Sequence, residues 1–376
     1  MADASPHLYI AQGLAQGHAA EVVSRASIVR SRLLANGVPP ILSLRHLAQL
    51  TGVSYGYLRE IVGRVRDPYL DINRRKRDGG IREISSPEPV LMDVQRWLLH
   101  NVFSSVPMHP ASFAYQRDRS IVQCAEQHVG ARWLVKLDLH DFFGSIQEKR
   151  IFDLLLRLGY SKLVSLEIAR ICTRLRGPRY EGYQNFWAYN AIPSYVVGSQ
   201  GVLPQGAPTS GALANTVASN LDAKLHDLAA SRGLGYTRYS DDLTFSAGPD
   251  YDRKQATALI AQVRNIVRDQ HFVLHEKKTH VVPPGARTVV LGLLVDSQGV
   301  RLLPEYKRRL QVHVRGVGKF GLVEHASHRG FESVLSFVNH VDGLIAFAAG
   351  VEREYAQHAR RAWNDALARS GYPLEV

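Results

Sequence analysis

Aspartates stand where two strand patterns should be apolar. Residues 134–137 read as a buried strand that ends on Asp138. Further along, Asp241 and Asp242 fill the turn of a hairpin that begins at Tyr236. An Asp-Asp pair is by itself typical of a polar turn. However, acids from a strand end and a neighbouring hairpin tip can converge, and such hard oxygen ligands suit Mg²⁺ that also holds substrate phosphates.

The regions around these acids alternate short apolar strands with helical patterns. The pattern predicts the following elements: strand 133–139, helices 147–158, 161–175 and 209–230, hairpin 234–245, helix 253–269, and strands near 272–274 and 289–295. This order predicts an α+β core with an antiparallel hairpin at its centre.

Helical patterns flank this core on both sides. Residues 8–60 read as helices interrupted at Pro39-Pro40, and the chain is again helical from Pro304 onward. We therefore predict an N-terminal helical extension (1–58), a central unit (59–303) and a C-terminal helical unit (304–376). Residues 47–54 read as a helix, a glycine turn and a new helix start, which fits either a packing appendage or a small DNA-reading helix pair.

The charge balance indicates an anionic partner. The 376 residues include 46 Lys and Arg against 34 Asp and Glu, a formal net charge of +12. An apolar content of 45% excludes intrinsic disorder. Two cysteines cannot build a disulfide framework, no apolar run approaches the ~18 residues of a membrane helix, and no secretory signal is evident. We expect a cytoplasmic protein without a membrane partner.

Cations are dense between residues 59 and 82, on both sides of an Asp-Gly-Gly turn. The pattern predicts a basic β-hairpin carrying Arg74, Arg75 and Arg77. Such a charge run is often only a solvated face, but it also suits binding of a triphosphate or a nucleic-acid backbone.

Three segments, taken together, resemble the palm motifs of reverse transcriptases in order and spacing. They are Leu-Asp-Leu-His-Asp-Phe-Phe (137–143), Leu-Pro-Gln-Gly-Ala-Pro-Thr-Ser (203–210) and Tyr-Ser-Asp-Asp (239–242). The resemblance implies a right-hand polymerase fold with fingers, palm and helical thumb. It also implies two Mg²⁺ ions held by Asp138 and Asp241, with Asp242 as an auxiliary acid and the Leu139 backbone carbonyl as a further ligand.

The same resemblance assigns nucleotide-binding roles to five further residues. Phe143 falls at the aromatic position that excludes a 2′-hydroxyl, although packing beside Phe142 is the plainer interpretation. Gln205 and Gly206 match the loop against the incoming nucleotide, where a glycine allows close backbone approach. Lys278 matches the lysine near the departing pyrophosphate, and Arg82 the arginine that clamps the triphosphate. Residues 289–295 resemble the primer-grip hairpin.

A subfamily is also indicated. Residues 112–121 with Cys124, Ala125 and His128 resemble the retron signature Asn-Ala-x-x-His, with Cys124 in place of Asn. The retron Val-Thr-Gly triplet falls at 290–292, with Leu291 in place of Thr. His128 is either a satisfied core histidine or functional. The similarity covers residues 60 to 350, and the length after Pro304 leaves room for a thumb alone.

Three groups of residues are expected to meet nucleic acid outside the palm, and the first is Arg74, Arg75 and Arg77 of the basic hairpin. Lys307, Arg308 and Arg309 open the thumb and offer cations to phosphates. Between 174 and 202 the chain is rich in aromatics, including Tyr183, Phe186 and Trp187, which could stack unpaired bases. Packing over the palm or a protein interface fits them equally well.

The resemblance implies RNA-directed DNA synthesis from deoxynucleoside triphosphates. A retron enzyme copies a structured noncoding RNA, which is both template and primer, into multicopy single-stranded DNA, starts from a 2′-hydroxyl of that RNA, and serves in anti-phage defence with an effector or toxin protein. One alternative is another defence-associated or group II intron-like reverse transcriptase. Another is a silent RNA-binding scaffold. An RNA polymerase is disfavoured because Phe143 would obstruct a ribonucleotide sugar.

Overall fold

A computed structural model describes residues 6–75, 79–175 and 200–373 of the chain. Its strands, all paired antiparallel, form three separate sheets. The strands are β1 (Tyr69–Arg75), β2 (Ile81–Pro87), β3 (Trp133–Asp138), β4 (Gly235–Tyr239), β5 (Asp242–Ala247), β6 (His280–Val282), β7 (Val289–Val290), β8 (Leu293–Asp296) and β9 (Gly299–Leu302).

Helices surround these sheets and make up most of the remaining described structure. They are α1 (Pro6–Ala15), α2 (Ala20–Ala35), α3 (Leu44–Thr51), α4 (Tyr55–Val62), α5 (Pro89–Leu98), α6 (Ile121–Glu126), α7 (Glu148–Arg157), α8 (Lys162–Cys172), α9 (Ser210–Val217), α10 (Ser219–Ala230), α11 (Arg253–Asp269), α12 (Pro304–Phe320), α13 (Leu322–His328), α14 (Val334–Ala349) and α15 (Arg353–Arg369). A π-helical turn (Leu99–Phe103) follows α5, and a short 3₁₀ turn (Glu276–Lys278) precedes β6.

The central sheet has the strand order β4-β5-β3-β6. Strand β3 is buried on both faces, which explains why Leu134 and Val135 are adjacent apolar residues rather than part of an alternating pattern. Val135 packs into the main hydrophobic core, whereas Leu134 packs into a cluster that includes residues of the small β7-β8-β9 sheet. Strand β3 therefore contacts both hydrophobic clusters. The mixture of helices and antiparallel sheets confirms the α+β prediction.

The N-terminal helices share the main core. Ser43 caps α3 by accepting a hydrogen bond from the His46 amide, and Gly52 ends that helix in the left-handed conformation before α4. Leu47 and Leu58 are fully buried in the same cluster as Tyr160. This burial favours the packing role of residues 47–54 over a DNA-reading one.

Strands β1 and β2 form the expected basic hairpin, and it stands largely in solvent. Only Tyr69 of β1 is buried, and only Ser85 and Pro87 of β2. The structure describes neither Arg77 nor its two neighbours at the tip.

The four helices α12–α15 have a core of their own around Phe337 and Trp363. The third cluster joins them to the rest of the molecule, because Ala348 and Ala356 pack with Val290 and Leu293 of the small sheet. The helical C-terminal pattern is therefore confirmed. Within the described residues, no helix is both long enough and apolar enough to cross a membrane.

Three details differ from the sequence-based expectations. The single helix expected over 209–230 is two helices broken at Ala218, and Arg150 donates a 3.4 Å hydrogen bond to the Val217 carbonyl at the break. The hairpin turn is Ser240-Asp241 alone, because Asp242 already pairs with Tyr239. Residues 272–274 form no strand; Leu274 makes one isolated bridge to Leu139.

Candidate active site

The register of the central sheet places the acids together. Asp138 at the end of β3 is the direct cross-strand partner of Asp242 at the start of β5, so their side chains share one face of the sheet. Asp241 lies in the two-residue turn before Asp242, and its carbonyl accepts a 2.9 Å hydrogen bond from the Leu139 amide. Ser240 has a φ of 58°, the left-handed conformation that tight hairpin turns require. Asp138, Asp241, Asp242 and Leu139 therefore meet at one edge, as the sequence predicted.

The charge on these acids is poorly compensated. Lys278 Nζ contacts both carboxylate oxygens of Asp138 at 3.0 and 2.9 Å. Burial raises the pKa of Asp138 even against this hydrogen bond. Burial, with repulsion from Asp241 and Asp138, raises the pKa of Asp242 to about 6. A site whose acids resist ionisation is one where an additional cation would be bound favourably.

The donor set fits a divalent ion that arrives with phosphate. Within residues 6–75, 79–175 and 200–373, no three His, Cys, Asp or Glu side chains are gathered closely enough to hold a metal unaided. Mg²⁺ does not need such a cage, because it is usually held by one or two carboxylates together with substrate phosphates. Asp138 and Asp242, paired across the strands with Asp241 beside them, supply that number of hard oxygen ligands.

A buried ionic network supports the turn from below. Arg238 and Asp222 are both 0% exposed and form a bidentate ion pair with two 2.7 Å hydrogen bonds. The same guanidinium donates to the Ser240 carbonyl at 3.0 Å and to Asn215 Oδ1 at 2.9 Å. Because all these groups are enclosed, the network fixes the backbone of the turn that carries Asp241.

A cleft of about 1280 Å³ opens over the acids. It is lined by the three aspartates and by four of the predicted nucleotide-binding residues, namely Arg82, Phe143, Gln205 and Lys278. Gly206 borders it with a φ of 122°, and a Cβ there would lie 2.7 Å from Ile84. The Gln205 carbonyl accepts a 2.7 Å hydrogen bond from the Ser85 amide, so this loop lies directly against the hairpin.

Phe143 is half-buried between two aromatic rings. Its ring centroid lies 5.6 Å from Phe142 and 5.9 Å from Tyr115. It therefore packs partly into the core and partly lines the cleft. Both interpretations of this residue are compatible with its position, and the 2′-hydroxyl gate stays a prediction.

The predicted cations lie in different places. Arg74 is opposite Arg82 across the hairpin, and neither forms an ion pair within the described part of the chain. Arg75 lies farther along β1, beside the tip. Arg308 and Arg309 are exposed on α12, whereas Lys307 is tied to Glu352 at 2.5 Å. Arg77, Tyr183, Phe186 and Trp187 lie outside the described residues.

Sequence reasoning missed two arginines that shape the site. Arg238 could have been suspected, because a charged residue interrupts a strand whose neighbours are buried. Arg174 ion-pairs with Asp67 and Asp71 and donates a 2.9 Å hydrogen bond to Ser85, so it joins the segment after α8 to the hairpin. No local pattern marks Arg174, since its partners are about a hundred residues away.

The histidine and the cysteine of the segment that resembles the retron signature are buried in the core. His128 is 1% exposed, and its two ring nitrogens lie 2.8 Å from Ser246 and Thr237 hydroxyls. Burial lowers its pKa to about 4. Cys124 contacts the same Thr237 hydroxyl at 3.4 Å. His128 is thus a satisfied core histidine, and Cys124 takes part in the same polar network that ties α6 to the sheet.

Comparisons with known proteins agree with this geometry. Residues 74–303 match the family described as "Reverse transcriptase (RNA-dependent DNA polymerase)". The chain is 30% identical to the retron Ec86 reverse transcriptase of Escherichia coli, over 87% of this chain and 95% of that protein. It is 34% identical to the retron Mx162 reverse transcriptase of Myxococcus xanthus, over 83% of this chain and 66% of that protein.

Solved structures give weaker similarity. A foamy viral protease-reverse transcriptase in complex with double-stranded DNA aligns over 79% of this chain and 44% of its own, with a TM-score of 0.37 and 17% identity. The assignment does not depend on this alignment. It follows from the match over residues 74–303 and from the retron Ec86 relative, 95% of which is covered, so the departures at Cys124 and Leu291 do not exclude the retron family. The chain belongs to the reverse transcriptase family and, within it, to the retron reverse transcriptases.

Proposed function

We propose that this protein is the RNA-directed DNA polymerase of a retron, and that Asp138, Asp241 and Asp242 form its catalytic centre. The observation that carries this proposal is the cross-strand pairing of Asp138 with Asp242 at the floor of the large cleft. A silent scaffold would have no reason to keep these acids together, because each buried acid destabilises the fold unless a cation compensates it.

The three aspartates and the Leu139 carbonyl would hold two Mg²⁺ ions. When bound, these ions would activate the primer hydroxyl and stabilise the charge of the departing pyrophosphate. Lys278 now contacts Asp138. The Lys278 side chain is 48% exposed and lines the cleft, so its ammonium group can move to a pyrophosphate oxygen once the acids are otherwise compensated.

The walls of the cleft suit a deoxynucleoside triphosphate. Arg82 and its cross-strand neighbour Arg74 place two cations side by side. An anion bound between them would offset the repulsion between these like charges. Gln205 and Gly206 form the loop against which the base would lie. Phe143 would stand under the sugar and exclude a 2′-hydroxyl.

The nucleic-acid partners follow from the retron assignment. The template and primer would be a structured noncoding RNA, copied from one of its 2′-hydroxyls into multicopy single-stranded DNA. Arg75, Arg77, Arg308 and Arg309 would contact its backbone, and Tyr183, Phe186 and Trp187 its unpaired bases. We also propose a cytoplasmic location, with which two buried free cysteines accord, and a role in anti-phage defence with an effector protein.

Replacing Asp241 with Asn tests the centre. The variant loses one anionic ligand but keeps the basic surfaces, so deoxynucleotide incorporation should fall by at least about a hundredfold while RNA binding stays within about twofold. Asp250→Asn is the matched control, since Asp250 is exposed just beyond the same hairpin. Primer extension on an RNA template and filter binding give the two readouts.

Two results would contradict the proposal. Deoxynucleotide incorporation at the native rate by the Asp241→Asn variant would show that Asp241 is not an essential metal ligand. Wild-type protein that binds RNA but never extends a primer would favour the scaffold. Sequencing of copurified nucleic acid separates the remaining alternatives, since a branched RNA-DNA hybrid supports the retron and unbranched complementary DNA the other reverse transcriptases.

A further inference from the structure

Tyr115 has a strained backbone at the edge of the cleft. Its φ is 59°, and bulky side chains rarely adopt this left-handed conformation. Tyr115 is nevertheless 51% exposed and lines the cleft. Strained residues cluster at active sites, where the strain is often part of the mechanism, so the strain at Tyr115 indicates a functional role.

The segment before Tyr115 is held rigidly. Ser112 forms a parallel bridge with Arg238, which donates its amide hydrogen to the Ala111 carbonyl at 2.7 Å. Asn215 of α9 donates a 2.6 Å hydrogen bond to the Ala114 carbonyl. The backbone therefore delivers Tyr115 to one position beside the turn of the β4–β5 hairpin, and this pinning maintains the strain.

Two contacts fix the side chain of Tyr115 in that position. Its hydroxyl lies 2.9 Å from Ser240 Oγ, in the turn that carries Asp241. Its ring meets Phe143 edge-on, with centroids 5.9 Å apart and planes at 61°. One side chain thus touches both the predicted sugar gate and the turn of the predicted metal site.

Space for this ring is provided by a glycine. A Cβ at Gly211 would lie only 2.5 Å from Cγ of Tyr115 and 2.9 Å from its Cβ. These atoms are near the backbone and cannot swing aside as the end of a flexible side chain could. Because alanine is otherwise preferred to glycine in a helix such as α9, a close approach to Tyr115 explains Gly211 physically.

We propose that Tyr115 is a positioning residue that determines sugar specificity: its ring sets the orientation of Phe143, and its hydroxyl sets the Ser240 turn. This inference rests on the proposed function. The two halves of the side chain have separable roles. The ring governs discrimination between deoxy and ribo substrates, and the hydroxyl governs the rate of the chemical step.

Single-nucleotide incorporation on an RNA template, with matched deoxy and ribo triphosphates, separates these roles. Tyr115→Ala should lower the ratio of kcat/KM for the deoxynucleotide to kcat/KM for the ribonucleotide about tenfold, because Phe143 loses the ring that packs beside it. Tyr115→Phe should keep that ratio within about twofold and lower kcat about two- to tenfold at unchanged KM, the scale of one hydrogen bond. Combining Tyr115→Ala with Phe143→Ala should discriminate no worse than Phe143→Ala alone.

Gly211→Ala tests the proposal without altering Tyr115. The added methyl should displace the ring and lower discrimination in the same direction as Tyr115→Ala. Gly343→Ala is the matched control, since it is also a helical glycine but has open space around it. Thermal unfolding shows whether each variant folds. If Tyr115→Ala does not fold, the single variants Gly211→Ala and Tyr115→Phe test the proposal in its place.

The outcomes are distinguishable. If Phe143→Ala relaxes discrimination but Tyr115→Ala and Gly211→Ala do not, the inference on Tyr115 is overturned and the proposed function stands. If Phe143→Ala itself changes nothing in an active enzyme, the gate and the role of Tyr115 fall together. Wild-type protein without RNA-templated DNA synthesis would overturn the proposed function and, with it, this inference.

Discussion

Burial at the active site shifts the protonation of single residues in a direction that destabilises the folded protein at neutral pH. Asp242 is the sharpest case, since burial with two neighbouring aspartates raises its pKa to about 6. Its unfolded-state pKa lies near 3.8. The folded protein therefore binds this proton more tightly than the unfolded chain, and ionising Asp242 at neutral pH destabilises the fold.

Asp242→Asn should accordingly stabilise the protein without divalent metal. At pH 8 with a chelator present, we expect the free energy of unfolding to rise by about 1–3 kcal/mol. The gain should shrink as the pH falls from 6 towards 4, because the wild-type carboxyl then takes up its proton. Urea unfolding at several pH values measures this. Asp250→Asn should show no such gain, and a gain that grew on acidification would contradict the explanation.

The positions of the acidic residues were the feature most predictable from sequence. The positions of Asp138, Asp241 and Asp242 followed from strand patterns and the motif resemblance. The strain at Tyr115 did not, because a positive φ in a tyrosine leaves no sequence signature. The ion pair between Lys278 and Asp138 was not foreseen either, since it joins residues 140 positions apart.

At the scale of elements, the β4–β5 hairpin is stabilised by an interaction that its own sequence does not contain. Arg238 lies in β4, but its partners Asp222 and Asn215 come from α10 and α9. The separation of these two helices at Ala218 was also hidden, because the apolar pattern runs through the break. Helix starts with capping residues were clearer, and α11 begins where Asp252 and Gln255 form a capping box.

Arg238→Met should be strongly destabilising. It leaves Asp222 charged and without its ion-pair partner at 0% exposure, so we expect a loss of about 3–5 kcal/mol in unfolding free energy. Arg287→Met is the matched control, since its ion pair with Glu305 is more than half exposed on both sides and should contribute less than about 1 kcal/mol.

A double variant separates stability from function. Arg238→Met with Asp222→Leu replaces the ion pair by apolar side chains and should recover much of the stability. Primer extension should stay low in this variant, because the Ser240 carbonyl still lacks its donor and the turn of Asp241 is less fixed. Full activity in a stable double variant would show that the network serves folding alone.

At the scale of the whole molecule, the net charge of +12 is spread over parts that differ in availability. In the thumb, the Lys307 ammonium is paired with Glu352 and lies 4.9 Å from the Tyr355 ring centroid, so it is largely engaged within the protein. Arg308 and Arg309 are exposed on the same helix; the Arg309 guanidinium lies 5.1 Å from the Tyr306 ring centroid, but neither arginine forms an ion pair within the described residues. The sequence shows three adjacent cations, and only the fold reveals that Lys307 is ion-paired while Arg308 and Arg309 are exposed.

This distinction predicts how RNA binding responds to salt. Each phosphate contact releases condensed counterions, so Arg308→Gln with Arg309→Gln should flatten the slope of log affinity against log salt by about one to two units. The loss should be similar for cognate and unrelated structured RNAs, since phosphates carry no sequence information. Lys307→Gln should leave the slope nearly unchanged and lower the thermal midpoint instead.

Filter binding across a salt series would test this, with Arg253→Gln plus Lys254→Gln as the control. That pair is exposed at the start of α11 and removes the same two charges from another surface. If the control flattens the slope equally, overall charge rather than the thumb drives binding. If Lys307→Gln has the largest effect on the slope, its ion pair with Glu352 must open when RNA binds, and all three thumb cations would then contact the backbone.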